Sequence, residues 1–291
     1  MGRDVLEAVH PGAYIEWIED SSSVTSYLDP DTLVGPGSFE AALHGTGGAV
    51  RLVELLLDGS VPTGFSCHRP PGHHADVAEA TGFCLFNHVA VAARYALDRF
   101  GLDRVLIFDW DVHHGNGTND IFHASRQVLY VSIHQSPLYP GTGPASDTGS
   151  GEGAGFTVNL PVPPGSGDEV FQSLVDHVVV PVARSFEPQL VLISAGYDAH
   201  REDSLANCLV TYEGFRTMAA TTRDLAAELE APMGAVLEGG YALEPLARSV
   251  ADTMEVLAGV PGRRAQRASL VGLAAEARRR LARWWPVLDS G

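Results

Sequence analysis

The 291-residue chain is 45% apolar and carries a formal charge of −17, and all nineteen of its basic residues are arginine. A chain of this size buries a large core, and its acidic balance excludes a nucleic-acid-binding surface, which needs a basic patch to displace counterions. No stretch reaches the roughly 18 uninterrupted apolar residues of a membrane span, and the first twenty residues, with Asp4, Glu7, His10, Glu16 and Glu19, lack the pattern of a secretory leader.

In chain order, a helical pattern over 39–58 precedes the strand-like run "GFSC", and a second helix is expected over 86–100. The apolar runs "RVLIFDWD" and "QVLYVSIH" follow as buried strands, and then the Gly/Pro-rich stretch 135–167 reads as one long functional loop. Helical patterns at 168–187, 212–230 and 243–258 alternate with the strands "LVLISAG" and "GAVLEGG", and a last helix is expected at 269–284. Strands alternating with helices predict right-handed crossovers and a mostly parallel central sheet with helices on both faces. No repeat or linker divides the chain, so residues 1–291 are read as a single α/β domain. The arginines between Arg263 and Arg283 are read as a solvated helix face. Cys67, Cys84 and Cys208 are too few and too scattered for a disulfide framework. A soluble, cytoplasmic protein is expected.

Polar residues gather where each strand run stops. "RPPGHH" (69–74) follows "GFSC", Asp109 to Gly117 follow "RVLI", Ser132 to His134 follow "VLYV", "GYDAH" (196–200) follows "LVLIS", and Glu238 to Tyr241 follow "GAVL". Open α/β sheets bind ligands outside the carboxyl ends of their strands, so these five clusters are expected to converge in one crevice. Within it Asp111, His113 and Asp198 form the best metal-ligand set. Alternate residues of an extended segment face one way, so Asp111 and His113 reach one ion while Asp198 approaches from another strand end. Three protein ligands leave a position open, as in catalytic zinc sites. Two carboxylates with one imidazole are a hard set for zinc, so Fe(II) or Mn(II) compete with it.

The adjacent His73 and His74 need different orienting partners, and the opening of the next cluster offers the Asp109 carboxylate and the Asn116 amide. A buried anion holds an imidazole cationic, whereas an amide leaves its partner able to accept a proton. His73 is therefore assigned as an electrostatic imidazolium and His74 as the general base, then acid.

With "RPPGHH", "GFCLFN", "DWDVHHGNG", "SIHQ", "YPGTG", "NLP", "SAGYDAH" and "EGGY" in this order from about residue 10 to 258, the chain resembles the zinc-dependent histone deacetylase superfamily, closest to class II and its bacterial amidohydrolase relatives. The resemblance implies an arginase/deacetylase-like fold, Asp111, His113 and Asp198 as zinc ligands, and His73 and His74 as the acid–base pair. It places Tyr241 where the family hydrogen-bonds the acyl carbonyl. Gly82, Phe83 and Tyr139 fall where the family lines the channel that holds the acyl-lysine stem. Asp109, Asp111, His113, Ser132 and Ile133 match a structural potassium site built largely from carbonyl oxygens. Asn116 replaces the aspartate of class I members, in keeping with class II.

Two departures stand out. The matching begins late, without the family's usual N-terminal strand and histidine-rich loop, so the expectation is either a misassigned start or a site mouth open on that side. Leu205 occupies the position at which a polyamine-deacetylating relative carries a gatekeeper glutamate, so acetyl-lysine or another neutral acylated amine is the favoured substrate. The alternatives are an acetylpolyamine amidohydrolase, a binuclear manganese ureohydrolase, and a non-catalytic acyl-amine binding protein. The ureohydrolase spacing D-x-H-x-D is absent, since Asp203 lies five positions after Asp198. A reader without turnover has no need of His73, His74 and Tyr241. His114, His134 and His200 are read as supports beside the ligands, and Cys84 as a packed thiol.

Overall fold

In a computed structural model that describes residues 2–260 and 267–289, the chain opens with helices α1 (Arg3–Glu7) and α2 (Gly12–Ser21) and a small antiparallel hairpin, β1 (Ser26–Tyr27) and β2 (Leu33–Val34). Helix α3 (Ser38–Leu57) leads to strand β3 (Thr63–Ser66), and α4 (His88–Phe100) starts on Asn87, whose side chain accepts the Ala90 amide at 3.0 Å. That cap satisfies one of the donors every helix start leaves open. Strand β4 (Val105–Asp109), the short helix α5 (Asn116–Phe122) and strands β5 (Val128–Gln135) and β6 (Thr157–Val162) follow. Helices α6 (Asp168–Leu174) and α7 (Val180–Phe186), strand β7 (Leu190–Ala195), α8 (Tyr212–Glu228), β8 (Met233–Leu237), α9 (Leu243–Leu257) and α10 (Gly272–Leu281) complete the order.

The six strands from β3 to β8 form one parallel sheet in the order β3-β8-β7-β4-β5-β6. Every residue of β4, β5, β7 and β8 is buried, which is why these strands read as continuous apolar runs rather than alternating ones. Leu106 and Phe108 point into the core shared with α6, α7 and α8, while Val105 and Ile107 point into the core under α3 and α4. Helices therefore cover both faces, as expected. Each buried Leu, Ile or Val contributes about 1.5–3 kcal/mol through lost contact with water. Because all six strands run the same way, their carboxyl ends open on one side.

Four readings need correction. The stretch 135–167 is not a loop throughout: β6 pairs with β5 from Tyr130↔Thr157 to Gln135↔Val162. Pro161 lacks an amide donor, and an edge strand tolerates that loss. The helix expected over 168–187 is interrupted by a π-helical turn at Val175–Val179 before Pro181 in the first turn of α7. Strand β4 stops at Asp109, so Asp111 and His113 sit in a bend rather than on an extended segment. Finally, the C-terminal arginines are only partly a solvated face. Arg263 and Arg264 lie outside the described residues, Arg278 donates to Leu288 O at 2.9 Å, and Arg280 donates to Asn159 O at 3.0 Å. Among the described residues no helix is long and apolar enough to cross a membrane.

Candidate active site

The bend after β4 is organised by its own carboxylates. Asp109 Oδ1 accepts the Asp111 amide at 3.1 Å, Asp111 Oδ1 accepts the His113 amide at 2.9 Å, and Asp198 Oδ1 accepts the Val112 amide at 3.0 Å. From the end of β8, the Gly239 amide donates to Asp111 Oδ2 at 2.8 Å. A Cβ at Gly196 would collide with the Asp111 carboxylate, and one at Gly239 with that of Asp198. Both positions thus need glycine for close approach. The result brings His113 Nδ1 to 3.2 Å from Asp111 Oδ1 and 3.1 Å from Asp198 Oδ2, and one ligand atom from each of the three residues lies within 4.8 Å of the others.

Two buried carboxylates converging on one imidazole nitrogen form a donor set that fits a divalent cation. Burial alone would lower the His113 pKa, but Asp198 and Asp111 outweigh it and carry it to about 10. Burial, with Asp111 adding, raises Asp198 to about 6. Asp203, the residue off the ureohydrolase spacing, lies elsewhere: its Oδ2 accepts the Tyr241 and Ala242 amides at 2.6 and 3.0 Å.

His73 and His74 come from the loop between β3 and α4. The Gly72 and His73 amides donate to Glu238 Oε2 at 2.7 and 3.0 Å, and Ser194 Oγ donates to Glu238 Oε1 at 3.0 Å. Asn87 Nδ2 holds Ala75 O at 3.0 Å. These bonds spend a buried carboxylate and an amide on the backbone that carries the pair. His73 Nδ1 lies 3.0 Å from Asp109 Oδ2, which also accepts from Tyr130 OH at 3.0 Å. His74 Nδ1 lies 2.8 Å from Asn116 Oδ1, an acceptor, so the imidazole donates from Nδ1 and keeps Nε2 as its basic atom. Burial by itself would lower His73, yet Asp109, Asp111 and Glu238 hold it up at about 10. Burial lowers His74 well below its ordinary value, and the His73 cation adds to this. His73 thus lies against Asp109 and His74 against Asn116.

A cavity of about 190 Å³ descends to this group between Gly82, Phe83, Leu138, Tyr139, Leu205 and Tyr241, with Asp31 also in its wall. The Phe83 and Tyr241 rings stand 5.6 Å apart at 70°. Gly240, at φ 131, adopts a backbone that favours glycine immediately before Tyr241. Burial pushes the Tyr241 phenol above its usual range, so it stays a neutral donor. Arg69 donates to Glu238 O at 2.8 Å and lies 5.3 Å from the Tyr241 ring centre.

Ser132 and Ile133 stand on β5 beside β4, with Ser132 in register with Asp109. Behind them His114 and His134 are buried with rings 4.7 Å apart; His114 Nδ1 meets Thr142 Oγ1 at 2.7 Å and His134 Nε2 meets Gly143 O at 2.9 Å. His200 Nδ1 accepts the Glu202 amide at 3.2 Å, and Cys84 is fully buried. Sequence reasoning missed Asp31, Leu138 and the carboxylate role of Glu238. Only the acidic side chain directly after an apolar run signalled the last of these.

A family model described as "Histone deacetylase domain" matches residues 1–257. A "Probable deacetylase" of Archaeoglobus fulgidus is 41% identical over 243 residues, 83% of this chain and 67% of that protein. "Histone deacetylase 10, chloroplastic" of Oryza sativa is 42% identical over 89% of this chain and 61% of its own length. A "Histone deacetylase-like amidohydrolase" of Pseudomonas aeruginosa is 40% identical over 82% of this chain and 63% of its own. The chain therefore spans roughly two thirds of the length of these relatives. The crystal structure of the HDA15 HD domain superposes with a TM-score of 0.92 at 38% identity, covering 99% of this chain and 81% of that one. The chain belongs to the histone deacetylase family.

Proposed function

We propose that this chain is a metal-dependent amidohydrolase that removes acetyl or related acyl groups from lysine side chains or similar primary amines. The observation that carries the reading is the unequal histidine pair beside Asp111, His113 and Asp198 at the floor of a narrow, mostly apolar channel. Those three residues would hold the cation, zinc first and Fe(II) as the alternative, and the cation would supply Lewis acidity toward the acyl carbonyl and water. Phe83, Tyr139 and Leu205 confine the extended stem of the amine and exclude bulk water. His74 Nε2 takes a proton from the attacking water and returns it to the leaving nitrogen, giving a carboxylate and a free amine. His73, held as imidazolium by Asp109, stabilises the negative charge that develops beside it. The Tyr241 hydroxyl donates to the oxyanion. A structural potassium ion is proposed at Asp109, Asp111, His113, Ser132 and Ile133, and a cytoplasmic location goes with the reading.

A second reading, an acetylpolyamine amidohydrolase, is favoured by one observation: Asp31 brings a carboxylate to a cavity whose neighbouring gate, Leu205, is neutral. Metal analysis with a turnover panel separates the readings. An acetyl-lysine peptide cleaved with one divalent ion per chain supports the first, faster turnover of acetylspermidine the second, and two ions per chain with arginine hydrolysis would overturn both.

A further inference from the structure

Phe83 has φ 68 and follows Gly82 at φ 57. The turn Thr81–Cys84, closed by the Cys84 amide on Thr81 O at 2.9 Å, therefore has both central residues in the left-handed region. Such turns favour Asn, Asp and Gly, and an aromatic residue there persists only when its surroundings over-determine it.

Those surroundings are the tip of the β1–β2 hairpin. Thr32, 1% exposed, accepts the Phe83 amide at Oγ1 over 3.1 Å. Thr32 is itself fixed, because Asp29 Oδ1 accepts the Thr32 amide at 2.6 Å and the Asp31 amide at 3.0 Å. The Asp29 carboxylate also meets the side chain of Thr81, whose hydroxyl lies 2.6 Å from Tyr139 OH. Two of the channel's three aromatic walls, Phe83 and Tyr139, are thus tied to one loop tip more than forty residues away in sequence.

Phe83 and Pro71 have a second neighbour. They line the channel of about 190 Å³ and also a separate cavity of about 320 Å³, whose other walls include Leu33, Ala41 and Leu85. The Phe83 ring stands as part of a partition between the two spaces.

We propose that Thr32 is a specificity-determining positioning residue: by holding the Phe83 amide it keeps the partition closed and confines the channel to amines with a narrow, unbranched stem. The proposal rests on the deacylase reading above. Freeing the Phe83 amide lets its ring withdraw, joins the channel to the neighbouring cavity, whose lining also includes Ser38 and Arg69, and admits a ring-bearing stem.

The test uses Thr32→Val, close to isosteric and without the hydroxyl, and Thr32→Ser, which restores it. Thr32→Ala serves if the valine variant does not fold. Amide exchange at Phe83, measured without substrate, is expected to quicken about five-fold in Thr32→Val, the order set by loss of one hydrogen bond, and to return in Thr32→Ser. Turnover is compared on one peptide carrying either acetyl-lysine or N-acetyl-4-aminomethyl-phenylalanine. In Thr32→Val, KM for acetyl-lysine is expected to rise while kcat holds, and the aryl-to-linear ratio of kcat/KM to rise about five-fold. An unchanged Phe83 exchange rate in the folded variant overturns the anchoring, and faster exchange with an unchanged ratio overturns the specificity role. A wild-type chain that cleaves neither amide while its bound metal is retained refutes the deacylase reading itself, which the exchange measurement does not depend on.

Discussion

The rings of His73 and His74 lie 4.1 Å apart, centre to centre, but their Nδ1 atoms are held by unlike partners, a carboxylate at 3.0 Å and an amide oxygen at 2.8 Å. The two imidazoles are consequently driven in opposite directions, His73 up and His74 down. Two copies of one side chain are thereby biased differently, His73 toward the cation and His74 toward the neutral imidazole, which is what separate electrostatic and proton-transfer roles require.

Asn116→Asp tests that division. An anion against His74 Nδ1 favours the imidazolium, raising its pKa by about one unit or more. A base works only when deprotonated, so the acid limb of the kcat/KM pH profile is expected to move to higher pH. A limb that stays in place would show that His74 is not the base.

Tyr241→Phe removes a hydroxyl and little volume. Since burial raises the phenol's pKa and keeps it neutral, in the proposed role it would remain a donor across the working pH range. Its loss is expected to lower kcat by about 10²–10³, as for other oxyanion donors, with metal content per chain unchanged. Full activity in the metal-replete variant would refute the role.

Metal binding should release protons. Without an ion, His113 carries a proton up to about pH 10, and a ligating Nδ1 must give it up. Calorimetric titration with Zn²⁺ at pH 7.5, in buffers of different ionisation heat, is expected to show about one proton released per ion. Below pH 6 the raised Asp198 adds to the release. No release at pH 7.5 would remove His113 from the ligand set.

How far this site can be read from sequence depends on how local its signals are. Asp111 and His113 sit just after an apolar run, and His73 and His74 follow another across the short stretch His68–Gly72, so strand ends and candidate site groups were legible together. Asp31 and Thr32 were not, because hairpin β1–β2 has two-residue strands and acts on Phe83 only through a tertiary contact. β6 was lost for a similar reason: Asn159 and Pro161 break its apolar pattern, and only pairing with β5 makes it a strand. The role of Asp203 was equally hidden, since spacing excludes a ureohydrolase pattern without revealing that the carboxylate grips the Tyr241 backbone.

Glu238 carries the last prediction. It is fully buried, and burial raises its pKa from 4.5 to about 7 despite the pull of the His73 cation. A folded-state pKa above the unfolded value means that, between about pH 4.5 and 7, the folded chain retains a proton the unfolded chain has released. Stability contributed by this group therefore falls as pH rises through that window, and the penalty is complete above it. Glu238→Gln keeps an oxygen for the Gly72 and His73 amides and removes the ionisation, so at pH 8 the variant is expected to gain up to about 3 kcal/mol, with less or no gain at pH 4. The same change takes away one of the three anions that hold His73 protonated, so the basic limb of the activity profile is expected to move to lower pH. Urea melts at pH 4 and 8 decide the first point, and a variant destabilised equally at both would show that the hydrogen bonds to the histidine loop, not the buried charge, dominate at Glu238. An unmoved basic limb would remove Glu238 from the control of His73.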